Sequence, residues 1–428
     1  MKYQKISVFH YRLAQIVSWF AATFLFGRKI LRNEIKGKKG PFVVIANHQA
    51  MLDFVNLIGA SARPMHFVIS KSFFSSLPLQ GFMKRLGVIP KQQFQTSSDD
   101  LKKMKRVIDA GQPVVIYPAG LMCEDGLSTP IPGATYKFLK WLGADVYVAR
   151  TQGTYFVMPK WSKKLRPGRT TMDIYKLFSK EDLHTLTLEQ IREKTDGALL
   201  YDAYADQADM RVKYLGNRDL RGLENVLYQC PQCGAEYTIT ATQEGEVFCS
   251  NCSFHQVADE YGFFKKAHGS ELEIPYVSSW SRWIYEQLAA KMEAGEIEAL
   301  TAQTQICMVD DRRHKFMPVG EGMLALQPEG FRLEGTLGGT LLDKRIPVAG
   351  LPTLPFSPGR HLELQDGGII YRCVLHDGRL VMKFIHMLKV LYEVSQEKIN
   401  EKIACKQYEL PQFVRTAQKH PYVGNIKF

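Results

Sequence analysis

Residues 41–60 read PFVVIANHQAMLDFVNLIGA, and this stretch decides the fold. Its first six residues are a continuous apolar run, the composition of a strand buried on both faces. A helical pattern starts at Asp53 and covers residues 53–60, leaving Asn47 to Leu52 as the turn. Similar apolar runs recur at residues 65–70 (MHFVIS), 113–117 (PVVIY) and 145–150 (DVYVAR), with helical segments at 99–110 and 133–142. Apolar strands alternating with helices predict an α/β layer with a mostly parallel sheet. The turn puts His48 and Asp53 at the C-terminal edge of the first strand, where open α/β sheets bind ligands. A carboxylate beside an imidazole fixes its tautomer and stabilises its protonated form, which makes a general base near neutral pH. Taken alone the pair is a weak pattern, and Asp53 as a plain helix cap is the commoner reading.

Other catalytic signatures are absent from the sequence. It contains no G-x-S-x-G elbow, no phosphate-binding G-x-x-x-x-G-K-[ST] loop and no G-x-G-x-x-G after a strand. The GTLGG run at residues 335–339 sits among short strands and reads as a turn. At 428 residues the chain suggests about three domains. Its formal net charge of +12 is uneven: residues 1–110 hold 18 Lys/Arg against 5 Asp/Glu, and the remainder is almost neutral. A basic end suits a phosphate-rich partner, whether nucleic acid, membrane surface or phosphorylated substrate. Residues 13–26 (LAQIVSWFAATFLF) narrow that choice, being apolar but shorter than the roughly 20 residues of a membrane span. Lys2, Lys5 and Arg12 precede this run, and Arg28, Lys29, Arg32, Lys36, Lys38 and Lys39 follow it. A secretory signal would need a small-x-small cleavage site, where Phe26-Gly27-Arg28 stands instead. Residues 1–40 are therefore expected to be a basic membrane-interface region, with Trp19 and the phenylalanines in the bilayer and Lys/Arg on an anionic surface.

Cys230-x-x-Cys233 and Cys249-x-x-Cys252 predict two knuckles closing one tetrahedral site, a structural zinc ribbon over residues 226–258. Four thiolates leave no open coordination position, so no catalytic role is expected for the metal. Cys123, Cys307, Cys373 and Cys405 are scattered, and persistent free thiols argue for a reducing compartment. A nucleic-acid role for the ribbon is not expected, because residues 226–264 contain no Lys or Arg. A connector helix is predicted over residues 275–300, with Trp280 and Trp283 read as packing. Residues 301–396 show some seven short β segments and then a helix, similar to a pleckstrin-homology-like domain, and residues 397–428 form a tail. Arg312, Arg313, His314 and Lys315 could bind phosphate, although Asp310 and Asp311 before them fit an ordinary charged hairpin equally well.

Residues 41–222, with the basic region before them, resemble the glycerophospholipid acyltransferases, typified by 1-acylglycerol-3-phosphate acyltransferases. The N-H-x-x-x-x-D block is matched by Asn47, His48 and Asp53, and the next block by Lys71, Pro78, Gly81, Gly87 and Ile89. The third block, Phe-Pro-Glu-Gly-x-Arg in the family, reads Tyr117-Pro118-Ala119-Gly120-Leu121-Met122. The arginine that usually ends the second block is also missing, with Lys91 the nearest cation. The resemblance implies an enzyme of phospholipid biosynthesis at the cytoplasmic membrane face, peripheral or monotopic. It would move an acyl group from acyl-CoA or acyl-carrier protein to a hydroxyl of a lysophospholipid or related lipid. His48 would be the base, Asp53 its partner, and Asn47, Lys71, Lys91 and Gly120 would contact substrate, with backbone N–H groups around Gly120 holding the oxyanion. The missing Glu and Arg imply a less cationic acceptor pocket. A catalytically inactive relative, acting as a lipid-binding or scaffold protein, is the alternative.

Overall fold

A computed structural model describes residues 4–75, 79–93, 98–267, 269–310 and 312–402, with side chains as far as residue 396. Lys2, Pro78, Asp311, Cys405 and the tail beyond residue 402 lie outside the described residues. Three sheets organise the chain. The first holds β1 (Arg28–Asn33), β2 (Phe42–Ala46), β3 (His66–Ser70), β4 (Ile89–Lys91), β5 (Val114–Ile116), β6 (Asp145–Gln152) and β7 (Thr170–Phe178). Their order is β1-β7-β6-β2-β5-β3-β4, parallel throughout except for the antiparallel β6–β7 pair. All five residues of β2 are buried, as its unbroken apolar run requires. This is the mostly parallel α/β layer expected of the acyltransferase fold.

The N-terminal segment departs from expectation at its second half. Residues 28–33, read as a basic membrane flank, form the edge strand β1, paired with a strand some 140 residues downstream. No local pattern announces so distant a pairing. Arg32 is bidentate to Asp173 at 2.9 and 2.8 Å, Lys38 bonds Asp145 at 2.9 Å, and Arg28 donates to the Asn56 carbonyl. Half of the six cations that follow the apolar run are thus bonded within the fold, while Lys29, Lys36 and Lys39 stay exposed. The apolar run itself is the helix Val8–Phe24. That helix turns Tyr11, Ser18 and Ala22 inward and presents Phe9, Leu13, Ile16, Val17, Phe20 and Phe24 outward. Among the described residues, no helix is long and apolar enough to cross a membrane.

The second sheet is antiparallel and small, ordered β11-β10-β9-β8, from β8 (Ile239–Ala241), β9 (Glu246–Cys249), β10 (His255–Ala258) and β11 (Phe264–Lys266). It runs past residue 258 because Phe264 pairs with Ala258. The third sheet is antiparallel too, and consists of β12 (Leu300–Asp310), β13 (Lys315–Gln327), β14 (Gly330–Leu337), β15 (Thr340–Pro347), β16 (Phe356–Ser357), β17 (His361–Asp366) and β18 (Ile369–Leu375). Its order is β15-β14-β13-β12-β18-β17-β16, and the helix Leu380–Lys402 packs on it. Residues 315–327 (KFMPVGEGMLALQ) form a single long strand, β13. The 312–315 cluster sits at the β12–β13 hairpin, where Asp310 accepts from the Arg312 and Arg313 amides, and this favours the hairpin reading. Between the last two sheets, the helix Val277–Glu293 buries Trp280, whose indole N–H donates to the Gln229 carbonyl at 2.8 Å. One hydrophobic core is shared by Phe26, Tyr155, Val247, Phe254, Trp280, Leu324 and Leu388, so elements of all three parts pack together.

Candidate active site and metal centre

Parallel pairing of β2 with β5 (Ile45 beside Ile116) makes the turns after both strands emerge side by side. His48 from the first turn and Tyr117 from the second consequently meet, with ring centroids 4.6 Å apart. His48 Nδ1 lies 2.9 Å from Asp53 Oδ2, and the same oxygen accepts the Gln49 and Ala50 amides at 2.7 and 3.0 Å. Asp53 is only 1% exposed, while His48 keeps part of its ring open to a cavity. The turn is braced from behind. Gln49 Oε1 accepts from Thr154 Oγ1 and the Tyr155 amide, and the Tyr201 hydroxyl donates to the His48 carbonyl. A carboxylate fixed by two amides holds Nδ1 as a donor, which leaves Nε2 as the basic nitrogen.

The cavity measures about 490 Å³, within the usual range for small-molecule sites. His48 lines it together with largely apolar side chains such as Phe54, Phe67, Met83 and Phe138, and with Tyr11 of the N-terminal helix. Lys91 lines it, and burial pulls its ammonium below the ordinary lysine range. The other three residues expected to contact substrate do not reach it by side chain or free amide. Asn47 is buried and bonds Thr151 through both ends of its amide (Nδ2 to the carbonyl at 2.7 Å, Oδ1 from the amide at 2.8 Å), which ties β2 to β6. Lys71 opens a short helix and is exposed; its neighbours Ser70 and Ser72 line the cavity, but Lys71 itself does not. Gly120 does line the cavity, but its N–H donates to the Tyr117 carbonyl at 3.0 Å in a turn with φ of +72°. That amide is therefore already bonded within the turn. The Tyr117 hydroxyl is buried without a hydrogen-bond partner among the described residues, and burial raises it far from ionisation.

Several lining residues escaped sequence reading. Lys160 follows the short helix Thr154–Val157; Phe356, His361, Glu363 and Arg372 belong to the third sheet, and Pro355 immediately precedes it, so that the sheet's edge forms one wall of the cavity. Cys123 is 1% exposed and burial raises its thiol, as a structural cysteine requires. Next to it, burial would push the Glu124 carboxyl up, but Lys389 and Lys160 hold it down to about 2.

Cys230, Cys233, Cys249 and Cys252 converge, with all four sulfurs within 4.8 Å of one another. Cross-knuckle Sγ separations are 3.7 Å (Cys230–Cys252) and 3.8 Å (Cys233–Cys249). A tetrahedral ion with bonds of about 2.3 Å to sulfur needs sulfur–sulfur edges of roughly 3.8 Å, so the set fits such an ion. The Asn251 and Phe254 amides point at Cys249 and Cys252 Sγ, the outer hydrogen bonds that orient thiolate ligands. His255 pairs with Phe248 across β9–β10 and is not part of the cluster.

Residues 28–157 match the family model described as Acyltransferase. A solved structure, the 1-acyl-sn-glycerophosphate (LPA) acyltransferase PlsC from Thermotoga maritima, is similar at 17% identity and a TM-score of 0.38, covering 44% of this chain and 76% of that one. Comparison with curated proteins finds no match.

Proposed function

We propose, from the premise that residues 28–157 form an acyltransferase-family domain, that the protein transfers a fatty acyl group from an acyl thioester to a lipid hydroxyl. The observation that carries this reading is the His48–Asp53 pair, with His48 opening onto an apolar cavity that extends to the N-terminal helix. His48 Nε2 takes the proton of the acceptor hydroxyl as that oxygen attacks the thioester carbonyl. The carbonyl carbon becomes tetrahedral and the thiolate then leaves, taking up a proton, so no acyl-enzyme forms. Asp53 keeps Nδ1 protonated and offsets the imidazolium charge during attack. The acyl chain occupies the Phe54, Phe67 and Phe138 side of the cavity.

The outward face of the helix Val8–Phe24 is the docking surface. Six large apolar residues on one stripe, facing solvent, is more than a monomeric soluble surface ordinarily carries in one place. The partner is an anionic lipid surface, met also by Lys29, Lys36 and Lys39. The four-thiolate set holds a structural zinc, which supplies no chemistry to the reaction. Thiolates kept reduced favour the cytoplasmic face, with the enzyme peripheral or monotopic.

The test uses the full chain, a long-chain acyl-CoA or acyl-carrier protein and a panel of lysolipid acceptors. Acceptor-dependent thiol release is expected in the wild type, falling roughly 10²–10⁴-fold in His48→Ala. Equal rates in both proteins sink the base assignment. Acceptor binding with no thiol release in the wild type selects the inactive, lipid-binding reading that Ala119 and Met122 suggest.

A further inference from the structure

The third sheet contributes more than a wall. Glu363 on β17 stands directly across from Arg372 on β18, and His361 lies two residues away on the same face. In an isolated sheet this face would be wet; here it closes the cavity, leaving Glu363 only 3% exposed. Arg372 donates to Glu363 Oε1 from Nε at 3.0 Å and Nη2 at 2.6 Å, and its guanidinium lies over the Phe316 ring at 3.5 Å. Glu363 Oε2 has no hydrogen-bond partner among the described residues. Lys160 approaches from the first sheet's side. Its ammonium sits 3.2 Å from the centre of the Phe356 ring, with a single long hydrogen bond of 3.4 Å to the Met122 carbonyl.

Taken with Lys91, the cavity lining holds three cations and one carboxylate inside an otherwise apolar surround. Arg372 is paired with Glu363 and Lys160 faces Glu124, but Glu363 Oε2 and most of the Lys160 ammonium's N–H groups have no hydrogen-bond partner among the described residues, a cost that a ligand of matching chemistry removes. The matching chemistry is one anionic group for Lys160 and Arg372 and a hydroxyl for Glu363 Oε2.

We infer that Lys160 and Arg372, braced by Glu363, form a phosphate-binding subsite that the C-terminal sheet supplies to the acyl-transfer cavity, in place of the Glu and Arg missing at Ala119 and Met122. The inference rests on the acyl-transfer reading for the identity of the ligand, an organophosphate substrate bearing a hydroxyl. That phosphate belongs either to the acceptor head group or to the donor's coenzyme.

The experiment measures equilibrium binding by calorimetry on the full chain with three probes: 1-octanoyl-glycerol 3-phosphate, 1-octanoylglycerol and coenzyme A. Lys160→Met removes a buried charge without enlarging the side chain, and Lys160→Arg is the conservative rescue. Lys160→Met is expected to weaken a phosphate-bearing probe roughly 10-fold to 100-fold, with 1-octanoylglycerol unchanged and Lys160→Arg close to wild type. A loss confined to 1-octanoyl-glycerol 3-phosphate assigns the phosphate to the acceptor; one confined to coenzyme A assigns it to the donor. Unchanged binding of both phosphate probes overturns the subsite, as does an equal loss for 1-octanoylglycerol. Thiol release is scored separately. Phosphate discrimination without turnover sinks the acyl-transfer reading and keeps the subsite, whereas turnover with no phosphate discrimination does the reverse.

Discussion

Asp53 shows how much one side chain is asked to do. It caps the turn through two amides and holds His48, so in the proposed mechanism its loss costs chemistry as well as order. Asp53→Asn keeps the shape but offers the imidazole a neutral partner. A fall in kcat of roughly 10²-fold or more is expected, with acceptor KM little changed, in steady-state thiol-release kinetics. Lys160 gives a separate, pH-dependent prediction. Burial lowers its ammonium to about 8, against the pull of Glu124. Other groups facing it stay fixed between pH 7 and 9: Asp125, pushed up by burial and then by Glu124, titrates near 6, His361 is held neutral to about 3, burial keeps the Cys123 thiol protonated, and Lys389 remains charged. A phosphate monoester has already lost its second proton by then, near pH 6. Binding phosphate raises the Lys160 value, so its contribution to affinity is complete below pH 8 and fades as pH rises through the higher value of the complex. Affinity for a phosphate probe is expected to fall from pH 7 to 9 in the wild type and to change much less in Lys160→Met.

At the scale of elements, the N-terminal helix turns its small and polar residues to the protein and its large apolar ones to solvent. Ile16 and Phe20 are each more than half exposed on that face. Ile16→Glu with Phe20→Glu should leave the melting temperature unchanged yet weaken binding to anionic vesicles by 100-fold or more, since two apolar anchors of about 1.5–3 kcal/mol each are replaced by like charge. Flotation that matches the wild type removes the membrane role of this helix. Its apolar run was legible in the sequence because it is local, and so were β2, the Asn47–Asp53 turn and the paired cysteines. β1 and β7 were not, because their pairing spans 140 residues and Arg32 reads as a surface charge until Asp173 is beside it. Gly87 lies between these cases. The family pattern marks it, but only the fold gives the reason: at φ of +74° a Cβ would fall 2.5 Å from Ile6 and 2.8 Å from His66. The cavity's third-sheet wall was illegible for the same reason as β1. Glu363 and Arg372 alternate with core residues as any outward pair does, and nothing local says that another sheet covers them.

In the whole molecule the helix Leu380–Lys402 joins all three parts. It buries Phe384 and Leu388 in the shared core and bonds Glu236 of the ribbon through Lys383 at 2.6 Å. It also reaches Glu124, beside the loop that carries Tyr117, through Lys389 at 2.9 Å. Removing one partner of a buried ion pair strands the other, at a cost of 3–5 kcal/mol. Lys389 keeps 30% of its side-chain surface exposed, against 6% for Glu124, so Lys389→Met should sit at the lower end, about 3 kcal/mol. Adding Glu124→Gln removes the stranded charge and should recover much of that loss, which a double-mutant cycle in chemical denaturation reads directly. Additive losses would mean that the pair is not coupled. The ribbon bears on the same cooperativity. Its Val247 and Phe254 belong to the core that also holds Tyr155 and Leu388. Removal of the proposed zinc with a chelator should therefore lower the main calorimetric transition of the entire chain, where an independent ribbon would melt alone and leave that transition in place.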